Sequence, residues 1–181
     1  MTATPIRRLL VLALCVLVIA PVVWAQKEDG GDNNLNEVSF PAQLTDIAGN
    51  RIDVQKLAEE KNLVVVTLKA TWCPVCRRQL ERIQNILPKL KSCNVTFIVL
   101  SPGPAEDLAK IKAALGFNYP FVADEDFAVA RSLGLERPGN QIVPCMFQVL
   151  PNLRIGWVQL GRNGYYFGDG ELKRYFDCHH V

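Results

Sequence analysis

From Val38 onward, short apolar runs alternate with segments in which apolar residues recur every three or four positions. Leu63 to Leu68 is uncharged and rich in β-branched residues, so it reads as a strand buried on both faces. Beyond it, Leu80, Ile83, Leu87 and Leu90 fall on one face of a helix that begins at Arg77, with Ile86 beside them. Pro88 should bend or end that helix. Val95 to Leu100 is the next strand, stopped by Ser101-Pro102-Gly103-Pro104. Ala105 to Leu115 reads as a helix carrying Leu108, Ile111 and Leu115 on one side. Phe121 to Ala123 is a short strand and Asp126 to Leu133 a short helix, with Asp124, Glu125 and Asp126 suited to its positive end. Ile142 to Leu150 and Ile155 to Leu160 are strands joined by a turn at Pro151-Asn152-Leu153-Arg154, and Glu171 to Phe176 begins a terminal helix. Upstream, Ile47 to Ile52 is a hairpin turn between short strands, and Val54 to Lys61 holds one short helix. Strands alternating with helices, then a closing hairpin and helix, predict a three-layer α/β domain with a mixed central sheet.

The first residues do not belong to that domain. Arg7 and Arg8 precede a continuous apolar run, Leu9 to Ala20, and Val23 and Ala25 supply compact residues before Gln26. This is the layout of a secretory signal peptide over residues 1–25, and the run is short for a membrane anchor, which needs roughly 20 apolar residues. Contact with a membrane is expected only if that segment stays uncleaved. Residues 26–37 are polar and read as a flexible linker, leaving 38–181 as the domain. Removal of residues 1–25 leaves 18 basic and 18 acidic residues, a balance that gives no support for a nucleic-acid partner. Five cysteines remain: Cys73, Cys76, Cys93, Cys145 and Cys178. An exported chain keeps disulfides, and an odd count leaves at least one thiol free or paired outside the chain.

The chemistry concentrates at Cys73-Pro74-Val75-Cys76, where the buried strand hands over to the helix. A cysteine at a helix start meets unpaired N–H groups and the positive end of the helix dipole, both of which favour its thiolate. Cys73 is therefore the expected nucleophile, with Arg77 and Arg78 either cations that tune it or the solvated face of the helix, and Cys76 the thiol that resolves a mixed disulfide. Pro74 suits the first helical position, where a missing N–H costs nothing. The competing readings are a static disulfide and half of a zinc site, but zinc commonly needs a second ligand pair and no second CxxC or HxxxH exists. No bound cofactor and no metal are required. His179 and His180 are the only histidines, so no Cys–His or Ser–His catalytic pair can be built around the dithiol. Trp72 reads either as part of a shallow apolar surface for a docking substrate or as simple packing beside the motif. Cys145 is read as a small core residue or a third thiol near the dithiol, and Asn94-Val95-Thr96 is a glycosylation sequon.

These residues carry a resemblance. Ala70-Thr71-Trp72-Cys73-Pro74-Val75-Cys76-Arg77 between a strand and a helix resembles the thioredoxin active-site segment. Asp46 to Asp53 and Phe121 to Arg131 are similar to the redoxin branch, the alkyl hydroperoxide reductase/thiol-specific antioxidant group with its exported thiol-disulfide oxidoreductases. The resemblance covers Val38 to Phe176 and implies a thioredoxin-like fold. It also implies that Pro144 is a cis-proline beside the dithiol, presenting the Val143 backbone to an extended substrate segment. Two departures stand out. Thioredoxins carry a buried acid six residues before the first cysteine, where this chain has Thr67. The peroxiredoxin spacing PxxxTxxC fits neither cysteine: Ala70 and Val66 take the threonine and proline places for Cys73, and Cys73 and Lys69 take them for Cys76.

The expectation is thus an extracytoplasmic thiol-disulfide oxidoreductase acting on protein or small-molecule thiols and disulfides, with electrons exchanged through a partner dithiol protein. A thiol-dependent peroxidase and a non-catalytic binding module with a locked disulfide are the alternatives.

Overall fold

The computed structural model describes residues 35–161, 172 and 174–176. The expected signal peptide, most of the linker and Cys178 lie outside them. Packing begins earlier than the expected boundary at residue 38, because Leu35 in a short 3-10 turn, Leu35–Glu37, is already buried in the core. Those three residues belong to the domain rather than to the linker.

A small hairpin, β1 (Gln43–Thr45) and β2 (Arg51–Asp53), closes on the Asp46 carboxylate, which accepts the Ala48 and Asn50 N–H groups. Helix α1 (Val54–Glu60) follows at once, capped by Asp53 accepting from Lys56 N–H. Strand β3 (Asn62–Thr67) runs parallel to β4 (Val95–Ser101), which runs parallel to β5 (Phe121–Ala123). On its other side β3 pairs antiparallel with β8 (Cys145–Val149), and β8 with β9 (Ile155–Leu160). The sheet order is β5-β4-β3-β8-β9, a mixed sheet of the expected thioredoxin-like kind.

The period of two along β3 builds both outer layers. Val64 and Val66 face α2 (Pro74–Leu90) and α3 (Ala105–Leu115), meeting Leu80, Ile83, Leu108 and Ile111. Leu63 and Val65 face the opposite layer, with Val54 and Ala58 of α1 and Ala130 of α4 (Ala128–Ser132). Of the closing helix, Leu172, Arg174 and Tyr175 are helical; Leu172 is buried in the α2 layer, and Tyr175 stacks on Trp157 and donates to Gln148.

Several boundaries differ from the sequence reading for identifiable reasons. Helix α2 starts at Pro74 rather than Arg77, so Pro74 to Cys76 enter it and Cys73 is its N-cap. It also passes through Pro88 to Leu90 before tightening into a 3-10 turn, Lys91–Cys93. Asn94 ends that turn in the left-handed conformation (φ 51°), and its amide is fully engaged: Nδ2 donates to Glu60 O and Oδ1 accepts from Lys61 Nζ. The run from Ile142 to Leu150 is two strands, because Pro144 carries no N–H for a ladder. Its first part, β7 (Gln141–Ile142), pairs instead with β6 (Glu136–Arg137) in a ribbon the sequence reading missed. The ribbon turns through Gly139 and Asn140, both left-handed (φ 80° and 55°).

Helix α4 is shorter than Asp126 to Leu133 because its acids cap it from outside. The Asp124 carboxylate accepts from Val129 N–H (3.0 Å) and Ala130 N–H (2.8 Å), and Asp126 accepts from Ala128 N–H. Asp124 is itself buried, so Asp124→Ala leaves two donors without partners. The variant should lose about 2 kcal/mol of stability, read as a lower urea midpoint with an unchanged slope; an unshifted midpoint would show that the cap carries no weight.

Candidate functional site

Cys73 and Cys76 are joined in a disulfide at the first turn of α2, with Cα atoms 5.4 Å apart. Cys73 is the N-cap: its backbone is extended and its Sγ accepts the Cys76 N–H at 3.2 Å, where a serine or aspartate oxygen usually sits. Pro74 occupies the first helical turn. The second sulfur also has a main-chain donor, for Cys76 Sγ accepts the Lys69 N–H at 3.3 Å. Backbone donors and the helix dipole thus support negative charge on either sulfur once the bridge opens. Cys73 is 6 % exposed and Cys76 1 %, so the approach is to the Cys73 side of the bridge.

The flanking loop is braced from several directions. Arg77 is exposed, and its Nη2 donates to Thr71 O at 3.0 Å across the start of the helix. Arg78 is exposed on α2. Trp72 is 60 % exposed, with the Lys69 ammonium 5.6 Å from its ring centre, a cation–π contact. Gly103, after β4, approaches so closely that a Cβ there would lie 2.8 Å from Thr71 Cγ2, and its φ of +138° also favours glycine. Beside Trp72 opens a recess of about 390 Å³, walled by Thr71, Trp72, Gly103, Glu125, Phe127 and Asn140.

Two expectations about the proline segment are corrected. Among the described residues no peptide bond is cis, so Pro144 is trans. Nor does Val143 present a free backbone: its N–H donates to Leu135 O (2.8 Å) and its C=O accepts the Thr67 hydroxyl (2.7 Å). Thr67 Oγ1 also accepts the Cys145 N–H at 2.7 Å, so one buried hydroxyl clamps both sides of Pro144. The segment still adjoins the dithiol, because Ile142 N–H donates to the carbonyl of Lys69, whose own N–H holds Cys76 Sγ. Thr67 is therefore a clamp on the proline segment.

Cys145 is the free thiol among the described cysteines, whereas Cys93 is disulfide-bonded. Cys145 belongs to the layer opposite the dithiol, against Thr67 and Phe147, which removes it as a third thiol in the exchange. Burial pushes its thiol up to about 12, with the Thr67 hydrogen bond pulling weakly the other way.

Sequence reasoning missed Lys69, Gly103, Glu125, Phe127 and Asn140. A signal existed for Lys69, the one charged residue between Lys61 and Arg77. The others come together from separate loops.

A model of the AhpC/TSA family matches residues 36–158. Peroxiredoxin-like 2C of Mus musculus is 27 % identical over 101 residues, 55 % of this chain and 44 % of that protein. The chain thus spans less than half the length of that curated relative. Among solved structures, Enterococcus faecalis AhpC superposes with a TM-score of 0.65 at 20 % identity, over 78 % of this chain and 89 % of that one. A secreted Mycobacterium tuberculosis disulfide oxidoreductase, described as homologous to E. coli DsbE, gives 0.57 at 14 % identity over 81 % and 98 %. At such identities the likeness is one of fold.

Three outcomes follow for the buried groups. Cys145 should stay unlabelled by iodoacetamide at pH 8 in the native reduced protein and react once the chain is unfolded, as read by peptide mass spectrometry; native labelling would contradict its burial. Because its folded value lies above the ordinary thiol value of 9.0, the unfolded chain loses this proton first. Stability from this group is present below pH 9 and falls as pH rises towards 12. Separately, Thr67→Val should cost about 2 kcal/mol in denaturant unfolding, since it leaves the Val143 carbonyl and Cys145 N–H unpaired; a neutral result would remove the clamp.

Proposed function

The chain belongs to the AhpC/TSA family, the redoxin branch of the thioredoxin-like proteins, and from that premise we propose that it is a thiol-disulfide oxidoreductase working through Cys73 and Cys76. The observation that carries the reading is the closed bridge at the start of α2, with a main-chain N–H on each sulfur. In the reduced protein the Cys73 thiolate attacks one sulfur of a substrate disulfide. A Cys73–substrate bond forms, the substrate S–S bond breaks, and the other substrate sulfur leaves as a thiolate. Cys76, as its thiolate, then attacks Cys73 Sγ, releasing the second substrate thiolate and closing the protein disulfide. Two electrons pass from the protein to the substrate, and the released thiolates take their protons from solvent. A partner dithiol reopens the bridge by the same steps in reverse. We place this reaction in an extracytoplasmic compartment. The layout of residues 1–25 supports that, as does the oxidised state of Cys93.

Family membership favours a second reading, a thiol peroxidase. There the Cys73 thiolate would break a peroxide O–O bond, releasing an alcohol or water and leaving a sulfenic acid, which Cys76 would condense with loss of water. Exchange is preferred because Ala70 stands where a hydroxyl would polarise the peroxide, and the nearby Thr67 hydroxyl is spent on Val143 and Cys145.

Reduced protein should lose its Cys73 thiol faster with a disulfide than with hydrogen peroxide at equal concentration, followed by free-thiol assay. A reversed order would favour the peroxidase, and a bridge that mild reductant never opens would favour a non-catalytic module. Cys76→Ser should accumulate a mixed disulfide at Cys73, seen as a mass increase that dithiothreitol removes.

A further inference from the structure

We propose that the substrate is a low-molecular-weight disulfide bearing an ammonium group, seated in the recess beside Trp72, rather than an extended polypeptide. This rests on the exchange reading above and names its substrate class.

An extended segment is held at a dithiol by strand-like pairing, which needs free backbone donors and acceptors on the protein. Around Pro144 those groups are spent. Val143 N–H is on Leu135 O at 2.8 Å, and Val143 C=O is on the Thr67 hydroxyl at 2.7 Å. Pro144 has no N–H, and its C=O accepts Gly161 N–H at 2.7 Å. Cys145 N–H is on Thr67 Oγ1. To use the segment's donors, a pairing peptide would have to displace Leu135 O from Val143 N–H and Thr67 Oγ1 from Cys145 N–H, so each such bond gained costs an internal one. The Val143 side chain, for its part, packs on the layer opposite the dithiol.

What stands open is the recess. Its volume of about 390 Å³ falls in the range of small-ligand sites. Two of its walls hold unusual backbone: Phe127 is left-handed at φ 59° and Asn140 at φ 55°. A bulky aromatic rarely adopts that conformation, and such strain concentrates where a site must be shaped. Trp72, the residue before the nucleophile, gives the recess an exposed aromatic wall. Among its lining residues Glu125 is the one that carries a charge. Its Oε1 accepts Ala105 N–H at 3.1 Å, which fixes the carboxylate and leaves Oε2 for a cation. The Lys69 ammonium rests on the Trp72 ring, so a ligand's own ammonium belongs at the Glu125 end.

The step is balanced as before: Cys73 displaces one half of the small disulfide as its thiolate, Cys76 displaces the other, and the protein bridge closes. The test compares reduced full-length protein with cystamine, dithiodipropionate and the homodisulfide of an uncharged peptide with a central cysteine. Each rate is divided by that of dithiothreitol with the same disulfide, which removes intrinsic reactivity. Cystamine should give the highest normalised rate. Glu125→Gln should lower the cystamine-to-dithiodipropionate ratio by about threefold, the effect of an exposed charge. A normalised peptide rate equal to or above that of cystamine overturns this inference and leaves exchange standing, as does a Glu125→Gln variant with an unchanged ratio. Failure of the protein to react with any disulfide overturns the exchange reading itself.

Discussion

Strand β3 is buried on both faces and paired on both edges, and the site inherits its rigidity. Its backbone is shared between β4 and β8, while its side chains alternate into two separate hydrophobic layers. A one-residue slip would exchange every one of those side chains between layers, so the register is strongly determined. Whatever leaves its C-terminal end is therefore held in place. Leu68 N–H continues the pairing to Leu100 O, and the next N–H, of Lys69, is on Cys76 Sγ. Val64 and Val66 meanwhile seat Leu80 and Ile83 of α2. The two sulfurs are thus fixed against the sheet through main chain on one side and helix packing on the other.

The residue at the end of that strand changes the character of the site. Where the resemblance would put a buried carboxylic acid, position 67 faces Cys145 in the layer opposite the dithiol. Thr67 holds no titrating proton in the working pH range and spends its hydroxyl across Pro144 instead. Electrostatic help for the sulfurs then comes from N–H groups of Cys76 and Lys69, which do not titrate. The sheet also separates the two kinds of thiol. Cys145 is one residue beyond the proline yet lies in the other layer, so burial keeps it a neutral core residue apart from the dithiol.

What was legible in the sequence was what local periodicity encodes. The limits of α3 and β5 matched their patterns, and α1 and β3 matched within a residue, because each is a short run with clear punctuation. The CxxC and its place at a strand-to-helix junction were equally visible. Pro88 misled because an exposed proline late in a helix removes one N–H without breaking the buried face that Leu80, Ile83 and Leu90 define. The start of the domain was placed late because a single buried leucine, Leu35, sits among polar residues. The geometry of Pro144 was inferred from resemblance rather than from its own neighbours, and Thr67, seventy-six residues from Val143 in sequence, settles it instead. The recess was illegible for the same reason: Thr71, Gly103, Glu125 and Asn140 meet only once three strands and a ribbon are assembled.

Disulfide exchange and peroxide cleavage make different demands on a thiolate site. Peroxide cleavage needs a polarising donor beside the thiolate as the O–O bond breaks, because charge develops on the leaving oxygen. Disulfide exchange needs less: a stabilised thiolate, a leaving sulfur and an open line of approach, since the departing thiolate already disperses its charge. In this chain the residue three before Cys73 is an alanine, the Thr67 hydroxyl is committed to the proline segment, and one Arg77 N–H is on Thr71 O. The donors that remain at the sulfurs are the two main-chain N–H groups, and both point at sulfur itself. They stabilise the thiolate without reaching past it to a second oxygen. Among the described residues that arrangement supports the proposed exchange more directly than peroxide reduction.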